Sequence, residues 1–581
     1  MTDSKKSVFL ATTALKQFWN ISHPRLLLAG EWCRLYGDKQ SGKIEALPFI
    51  WNHVDDVYNA QQYCDEVYET VLDSISKILN KYLQIDQDIK YYRIILGNWL
   101  IHFIHQAYDK YRIIKEASKL GSVETYVMDT KQYDYPFDFL DYNAKAETDI
   151  YQLQLFSQVA KYMGVSCKTK KLISFEPKTL PVKKSRIRYL KERLSSFKYL
   201  LYKYFSTNEV VIVGPYFKKN KHIFEFKLWL KSKAKISFDP FNYYLIKELK
   251  ENNLDFRNNI KSKSNNFDDW IIPFIMKNIP QTYLEYHHEN IQAVSNIYSP
   301  NKIKNILTYN DLYHNTSFQF YIAKNHDKHN ICSAQHGCGY GMDLRHEGEA
   351  FERSISDHFF TYGWTESEKT KPLPMPKIIG NYYNNLKRHK TLFLTTTRPR
   401  YVMRFLQAPL SSKMLADHVK NPILFLNNLN SIDNIYIKHH PIHDFRKWNN
   451  RQRIKDEFPD IKEDSNNTFY ESMHLCKIFV TDHIGTTFLE ALQSNTPSIV
   501  FINKNSYLFR DDFKPYIENF IKLKILFYCP RDAAYHINSL NNNPDKWWQS
   551  DSIQTLRRDF IKTHALTSDN WIQSWCKQLI N

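Results

Sequence analysis

Ile478-Phe479-Val480-Thr481-Asp482-His483-Ile484-Gly485-Thr486-Thr487-Phe488-Leu489-Glu490-Ala491-Leu492 reads as a short apolar strand that ends in a polar loop and opens a helix. Upstream, the strand Ile435-Tyr436-Ile437 runs in the same way into Lys438-His439-His440-Pro441. Leu392-Phe393-Leu394-Thr395 and Ser498-Ile499-Val500-Phe501 extend the series on either side, with helices between. Strands and helices alternating at this spacing form parallel βαβ units. Loops at the carboxyl ends of such strands converge on one crevice, where open α/β sheets bind ligands. Lys438, His440, helix-start amides and the Thr486 and Thr487 hydroxyls suit a phosphate-bearing ligand there.

A similar alternation precedes it. Val210–Val213, Ile236–Phe238, Ile306–Thr308, Ile331–Ser333 and His358–Thr361 read as strands, with helices expected over 222–233 and 315–326. Lys371-Pro372-Leu373-Pro374-Met375-Pro376 is the hinge candidate, because proline fixes the backbone and blocks regular structure. The expected fold is therefore α/β: two facing Rossmann-like domains, 1–380 and 386–581, with a cleft between them. The first also holds strands at Val8–Ala11 and Leu26–Ala29 and helices over 55–83 and 90–118. His102 and His105 on the second helix are a candidate ligand pair without a third member, a pattern equally suited to packing. Residues 182–206 form a basic amphipathic helix that would pack on the domain or lie on an anionic membrane surface.

Composition limits the function classes. A chain of 581 residues holds two or three domains, and 43% hydrophobic and 15% aromatic content supply ample core. A net charge of +18 fits an anionic ligand or membrane surface, and no helix-turn-helix, zinc-finger or RNA-binding signature accompanies it. Nucleic acid is not an expected partner. Eight scattered cysteines without a CxxC fit reduced thiols. No signal peptide and no stretch of about 18 apolar residues is visible, so a cytoplasmic protein, at most peripheral on the inner membrane face, is expected.

Asp482 lies just ahead of the Gly485-Thr486-Thr487 helix start, and Glu490 one turn in could accept from ribose hydroxyls. Arg398 and Arg400, in the loop after Thr395, could clamp a phosphate or a carboxylate. In the first half, Gln335-His336-Gly337-Cys338-Gly339-Tyr340-Gly341 is a glycine-rich strand exit that lacks the P-loop ending. His336 is a candidate general base; Glu347 and Glu349 are the alternatives. There is no GxSxG, no HExxH and no DxD metal-diphosphate segment, and no metal ligand is assigned.

Lys438-His439-His440-Pro441 together with Gly485-Thr486-Thr487, Glu490-Ala491-Leu492 and Thr496-Pro497 resembles the C-terminal half of bacterial GT-B glycosyltransferases. In capsule Kdo transferases and in sialyl- and polysialyltransferases, a His-Pro motif and a later Ser/Thr pair bind the CMP part of the donor. Phe9–Leu15, Gly30-Glu31-Trp32-Cys33 and Gln335-His336-Gly337 resemble transferases of capsule and O-antigen loci, some of them similar to pseudaminic and nonulosonic acid transferases. The resemblance implies a GT-B enzyme with an acceptor-binding first half and a nucleotide-sugar-binding second half. It further implies a CMP-linked nonulosonic or ulosonic acid as donor, a lipid-linked surface glycan as acceptor, and no separate cofactor. Lys438, His440, Pro441, Gly485, Thr486 and Thr487 would hold phosphate, with Asp482, Glu490 and Arg398 nearby and His336 or Glu347 as base. His336-Gly337 also resembles the motif of CDP-glycerol glycerophosphotransferases, which keeps that activity open. A non-catalytic scaffold of a polysaccharide assembly complex is the other alternative.

Overall fold

The computed structural model describes residues 7–173, 208–214, 235–238, 252–260, 264–295, 303–375, 388–405, 412–440, 448–541 and 543–580. The expected helices over 182–206 and 222–233 and Pro441 lie outside the described residues.

The chain builds three parallel sheets. The first has four strands: β1 (Val8–Ala11), β2 (Leu26–Leu28), β3 (Val123–Met128) and β4 (Ser166–Lys170), in the order β2-β1-β3-β4. The second has six: β5 (Asn208–Val213), β6 (Lys235–Phe238), β7 (Asn305–Thr308), β8 (Asn330–Ala334), β9 (His358–Thr361) and β10 (Thr370–Pro372), in the order β10-β9-β8-β7-β5-β6. The third also has six: β11 (Lys390–Thr395), β12 (Ile435–His439), β13 (Lys462–Glu463), β14 (Cys476–Thr481), β15 (Ser498–Phe501) and β16 (Leu526–Phe527). Its order, β13-β12-β11-β14-β15-β16, reverses direction between β11 and β14, the switch point where doubly wound sheets open a ligand crevice.

Successive side chains of a strand face opposite ways, and the cores follow that rule. On the third sheet, Leu392, Phe479 and Val500 point into one core with Phe488 and Leu489. Their neighbours Phe393, Val480 and Phe501 point into the other with Phe425 and Ala533. The span 1–380, read from sequence as one Rossmann-like unit, carries two sheets. One continuous core joins them through the helices Val54–Leu83 and Ile89–Ala117, combining Val8 and Leu10 with Val211 and Ile306.

Two segments cross between halves. The last helix, Trp571–Ile580, covers the outer face of the second sheet with Trp575 and Leu579, and Asn305 Nδ2 donates to Leu579 O at 2.9 Å. The loop leaving β11 buries Tyr401, Val402, Met403 and Phe405 in the core of the first half. The expected hinge is corrected in its described part. Lys371 and Pro372 belong to edge strand β10, where proline is tolerated, and Leu373 and Met375 are buried. Met375 N–H and Pro374 O are bonded to Leu566 O and Trp575 Nε1.

His102 and His105 are buried, and burial drives His102 down to about 3 and His105 well below its ordinary range. Both are packing residues: His102 bonds Asn98 O at 2.8 Å, and His105 accepts from Phe405 N–H. Among the described residues no His, Cys, Asp or Glu group is arranged to hold a metal ion, and no helix is long and apolar enough to cross a membrane.

Candidate active site

Two adjoining cavities lie at the carboxyl ends of the third sheet. The first, at the β11/β14 switch point, is lined by Thr396, Arg398, His418, Asp482, Asn503 and Tyr507 among others. The second, between the halves, takes in Asp343, Arg345, Glu347, Arg404 and His483. Arg398, Ser506 and Tyr507 line both and mark their junction.

Asp482 ties the switch point together. Its carboxylate accepts from Thr396 N–H at 3.0 and 3.1 Å, so the end of β14 holds the exit of β11. Burial pushes this carboxyl up, but His483 and the Thr396 amide hold it below its usual range. His483 Nδ1 lies 3.5 Å from Asp482. Beside them burial drives His418 down to about 3, so its imidazole is neutral. Asn503 follows β15; its Oδ1 accepts from Asn505 N–H, while its buried Nδ2 has no partner among the described residues. An orphaned buried donor on a cavity wall is a group that a ligand acceptor would satisfy.

Several expected donor residues lie elsewhere. Lys438 Nζ is engaged by Asp464 at 3.0 Å and by Asn466 O at 2.8 Å, in a network with Lys390 and Ser472. Lys438 lines neither cavity. Burial acts to raise the Asp464 carboxyl, but its bonds to Lys390, Ser472 and Lys438 bring it down to about 2. A depressed carboxyl contributes stability that is complete above its unfolded value and lost as pH falls toward the folded one. Acid unfolding between pH about 4 and 2 is expected to be steeper in the parent than in Asp464→Asn. Equal slopes by circular dichroism would remove Asp464 from the account.

His440 is exposed at the end of β12 and lines neither cavity. Thr486 and Thr487 are half-buried at the start of the helix Thr486–Gln493 and also lie outside both linings. Gly485 caps that helix without a side-chain bond, and a Cβ there would strike the His483 ring. Glu490 is buried and lines neither cavity. Arg400, the expected alternative clamp, is locked away: it donates to Trp32 O at 2.6 Å and pairs with Asp149. Of the expected donor residues that the structure describes, Arg398 and Asp482 line the switch-point cavity.

The first half supplies the opposite wall. Gln335 is buried and anchors the glycine-rich loop: its Nε2 donates to Gly337 O, and its Oε1 accepts from Tyr362 N–H and Trp364 Nε1. The close approaches that the glycines permit are to the protein itself. Gly339, at φ 95°, would bring a Cβ to 2.6 Å from Asp343, and Gly341 would meet the Trp364 ring. Gly337 lies across from the second half, where a Cβ would sit 3.9 Å from Thr486 Oγ1. His336, one residue before it, lines neither cavity; the loop it opens reaches the interdomain cavity through Cys338 and Gly339.

His336 is 20% exposed, and its Nδ1 lies 3.3 Å from Glu352 Oε1, a carboxylate with no solvent exposure. Tyr340 OH donates to Glu352 Oε2 at 3.0 Å, and Tyr313 packs against the imidazole. Burial raises the Glu352 carboxyl, opposed by its contact with His336. A buried carboxylate against one imidazole nitrogen orients the ring so that the other can take a proton, which is what a general base requires. The sequence offers no local signal for Glu352; it is one of several acids in the helix Glu347–Ile355.

Glu347 lines the cleft, buried, and accepts from Gln61 Nε2 at 2.7 Å. Glu349 is withdrawn as a base because Gly341 N–H, Arg353 and Arg510 take its oxygens. Asp343 is pushed up to about 7 by burial and by Glu347 and Glu349, against the pull of Arg510 and Arg398. Sequence patterning also passed over Arg404, Asn503 and Tyr507; the last two lie in the carboxyl-end loop after β15.

Facing parallel α/β halves, with carboxyl-end loops meeting at a shared cleft, define the GT-B class of fold. A family model described as LIC12162 family transferase matches residues 8–579, and the chain belongs to that family. No curated protein matches it. Solved structures that resemble it include MurG of Acinetobacter baumannii, 9% identical over 64% of this chain and 99% of that one, with a TM-score of 0.33. The spinosyn rhamnosyltransferase SpnG complexed with spinosyn aglycone is 8% identical over 64% and 100%, with a TM-score of 0.32. A UDP-glucose: anthocyanidin 3-O-glucosyltransferase in complex with UDP is 8% identical over 64% and 95%, with a TM-score of 0.29.

Proposed function

We propose that this transferase moves a sugar from a nucleotide-activated donor onto an acceptor hydroxyl, with a CMP-linked nonulosonic or ulosonic acid as the donor. The acceptor in this reading is a lipid-linked surface polysaccharide. The observation that carries the proposal is the His336–Glu352 pair beside a cleft that continues into the switch-point cavity. The nucleotide occupies that cavity, with Asn503 offering its amide and Arg398 meeting the phosphate at the junction. His336 takes the proton of the acceptor hydroxyl as the hydroxyl oxygen bonds to the anomeric carbon and the bond to the phosphate oxygen breaks. Glu352 steadies the resulting imidazolium. The charge left on CMP falls on Arg398, a cation held at the junction of the two cavities.

Thermal unfolding of the full chain with CMP-, UDP- and GDP-sugars and with CDP-glycerol tests the reading. A ligand that binds only the folded state stabilises it by about 2.7 kcal/mol at 100 times its Kd. The expected result is a rise in Tm with the CMP-sugar and release of CMP when an acceptor is supplied. A rise with CDP-glycerol alone, together with glycerol phosphate transfer, would replace this reading by the glycerophosphotransferase one.

A further inference from the structure

The cavity at the β11/β14 switch point has two ends. Arg398, on the strap that leaves β11, lines it together with Ser506 and Tyr507 where it joins the interdomain cavity. His418, of the helix Ser412–Asn427, and Asn503 line the switch-point cavity alone. With the nucleotide placed as above and its phosphate at Arg398, the part of the cavity beyond that junction is left for the base. This inference rests on that placement.

Asn450 decides which ring nitrogen of His418 carries the proton. Its Nδ2 lies 3.1 Å from the His418 main-chain oxygen and 3.1 Å from His418 Nε2. A carbonyl oxygen only accepts, so the atom facing it is the amide –NH2. The same –NH2 therefore donates to Nε2, which has no proton of its own. Burial keeps the ring neutral, so its single proton sits on Nδ1.

Asn450 is buried and lines neither cavity, and the two nitrogens of an imidazole point away from one another. Nδ1–H meets no hydrogen-bond acceptor among the described residues. The Asp482 carboxylate nearby is held by Thr396 N–H and His483. Asn503 Nδ2 is a second donor without a partner on the same cavity. Two uncharged donors at the end away from the phosphate suit the ring-nitrogen and carbonyl acceptors of a nucleobase. We propose that His418 reads the base of the bound nucleotide as a hydrogen-bond donor, and that Asn450 is the positioning residue that fixes it in that tautomer.

Calorimetric titration of the full chain with CMP tests the assignment. His418→Leu is expected to weaken CMP roughly 2- to 10-fold, the range for one net hydrogen bond. His418→Asn, which keeps an N–H near the position of Nδ1, should recover most of that loss. Asn450→Leu should weaken CMP in the parent but add nothing in His418→Leu or His418→Asn, where no tautomer remains to be fixed. A merely structural Asn450 would cost affinity in all three backgrounds alike. If His418→Leu fails to fold, the comparison of Asn450→Leu in the parent and in His418→Asn decides. His418→Leu protein that binds CMP as the parent does, or equal losses from Asn450→Leu in every background, overturns the base-reading role while the nucleotide placement stands. If the unmodified protein does not bind CMP, the nucleotide placement fails and the role of His418 falls with it.

Discussion

Replacing His336 by Asn is expected to lower kcat by about 10²–10⁴-fold, the usual contribution of a positioned general base, with nucleotide binding and Tm unchanged. Asn keeps a polar group next to Tyr340 but cannot take the acceptor's proton. Glu352→Gln separates this role from a structural one. The substitution preserves shape and the Tyr340 contact but removes the buried negative charge 3.3 Å from the imidazole. Consequently kcat should fall because the imidazolium formed during transfer loses its counter-charge, while nucleotide binding stays unchanged. An unchanged kcat alongside a lower Tm would make Glu352 a packing residue. An His336→Asn protein with full turnover would end the catalytic reading and favour the scaffold alternative.

The skeleton of the fold was legible because apolar runs such as Leu392-Phe393-Leu394 and Ile478-Phe479-Val480 end in polar loops that open helices. That local alternation is what a doubly wound sheet requires. Strands without it escaped notice. Ser166–Lys170 is mostly polar and sits on an edge, and Lys462–Glu463 and Leu526–Phe527 are two residues each. Carboxyl-end loops were also legible as a group, yet which side chain in each loop faces the crevice was not. Lys438 and Arg398 leave adjacent strands of one sheet. Only the long-range partner Asp464, which captures the first, decides between them. Glu352 shows the same limit: helical phase turns it toward His336, while Glu347 reaches the cleft from the first turn, and no spacing rule ranks the two.

Arg400→Met is expected to destabilise the protein by about 3–5 kcal/mol, the cost of removing one partner from a buried ion pair. Against a typical total of about 5–15 kcal/mol this is severe. Arg400 is 3% exposed; its guanidinium donates to Trp32 O and faces Asp149, which also accepts from Ala14 N–H and Tyr401 OH. Without the arginine, Asp149 keeps its charge in a poorly solvated site. Asp149→Asn in the same chain removes that charge, so the double variant should lose less than the sum of the two single losses. The distinction bears on function, because the strap pinned here carries Arg398 on one side of Arg400 and Arg404 on the other. Weaker donor binding in Arg400→Met is expected only alongside the fall in Tm, as the strap loosens. Weaker binding at unchanged Tm would instead return Arg400 to the donor site as a direct phosphate ligand.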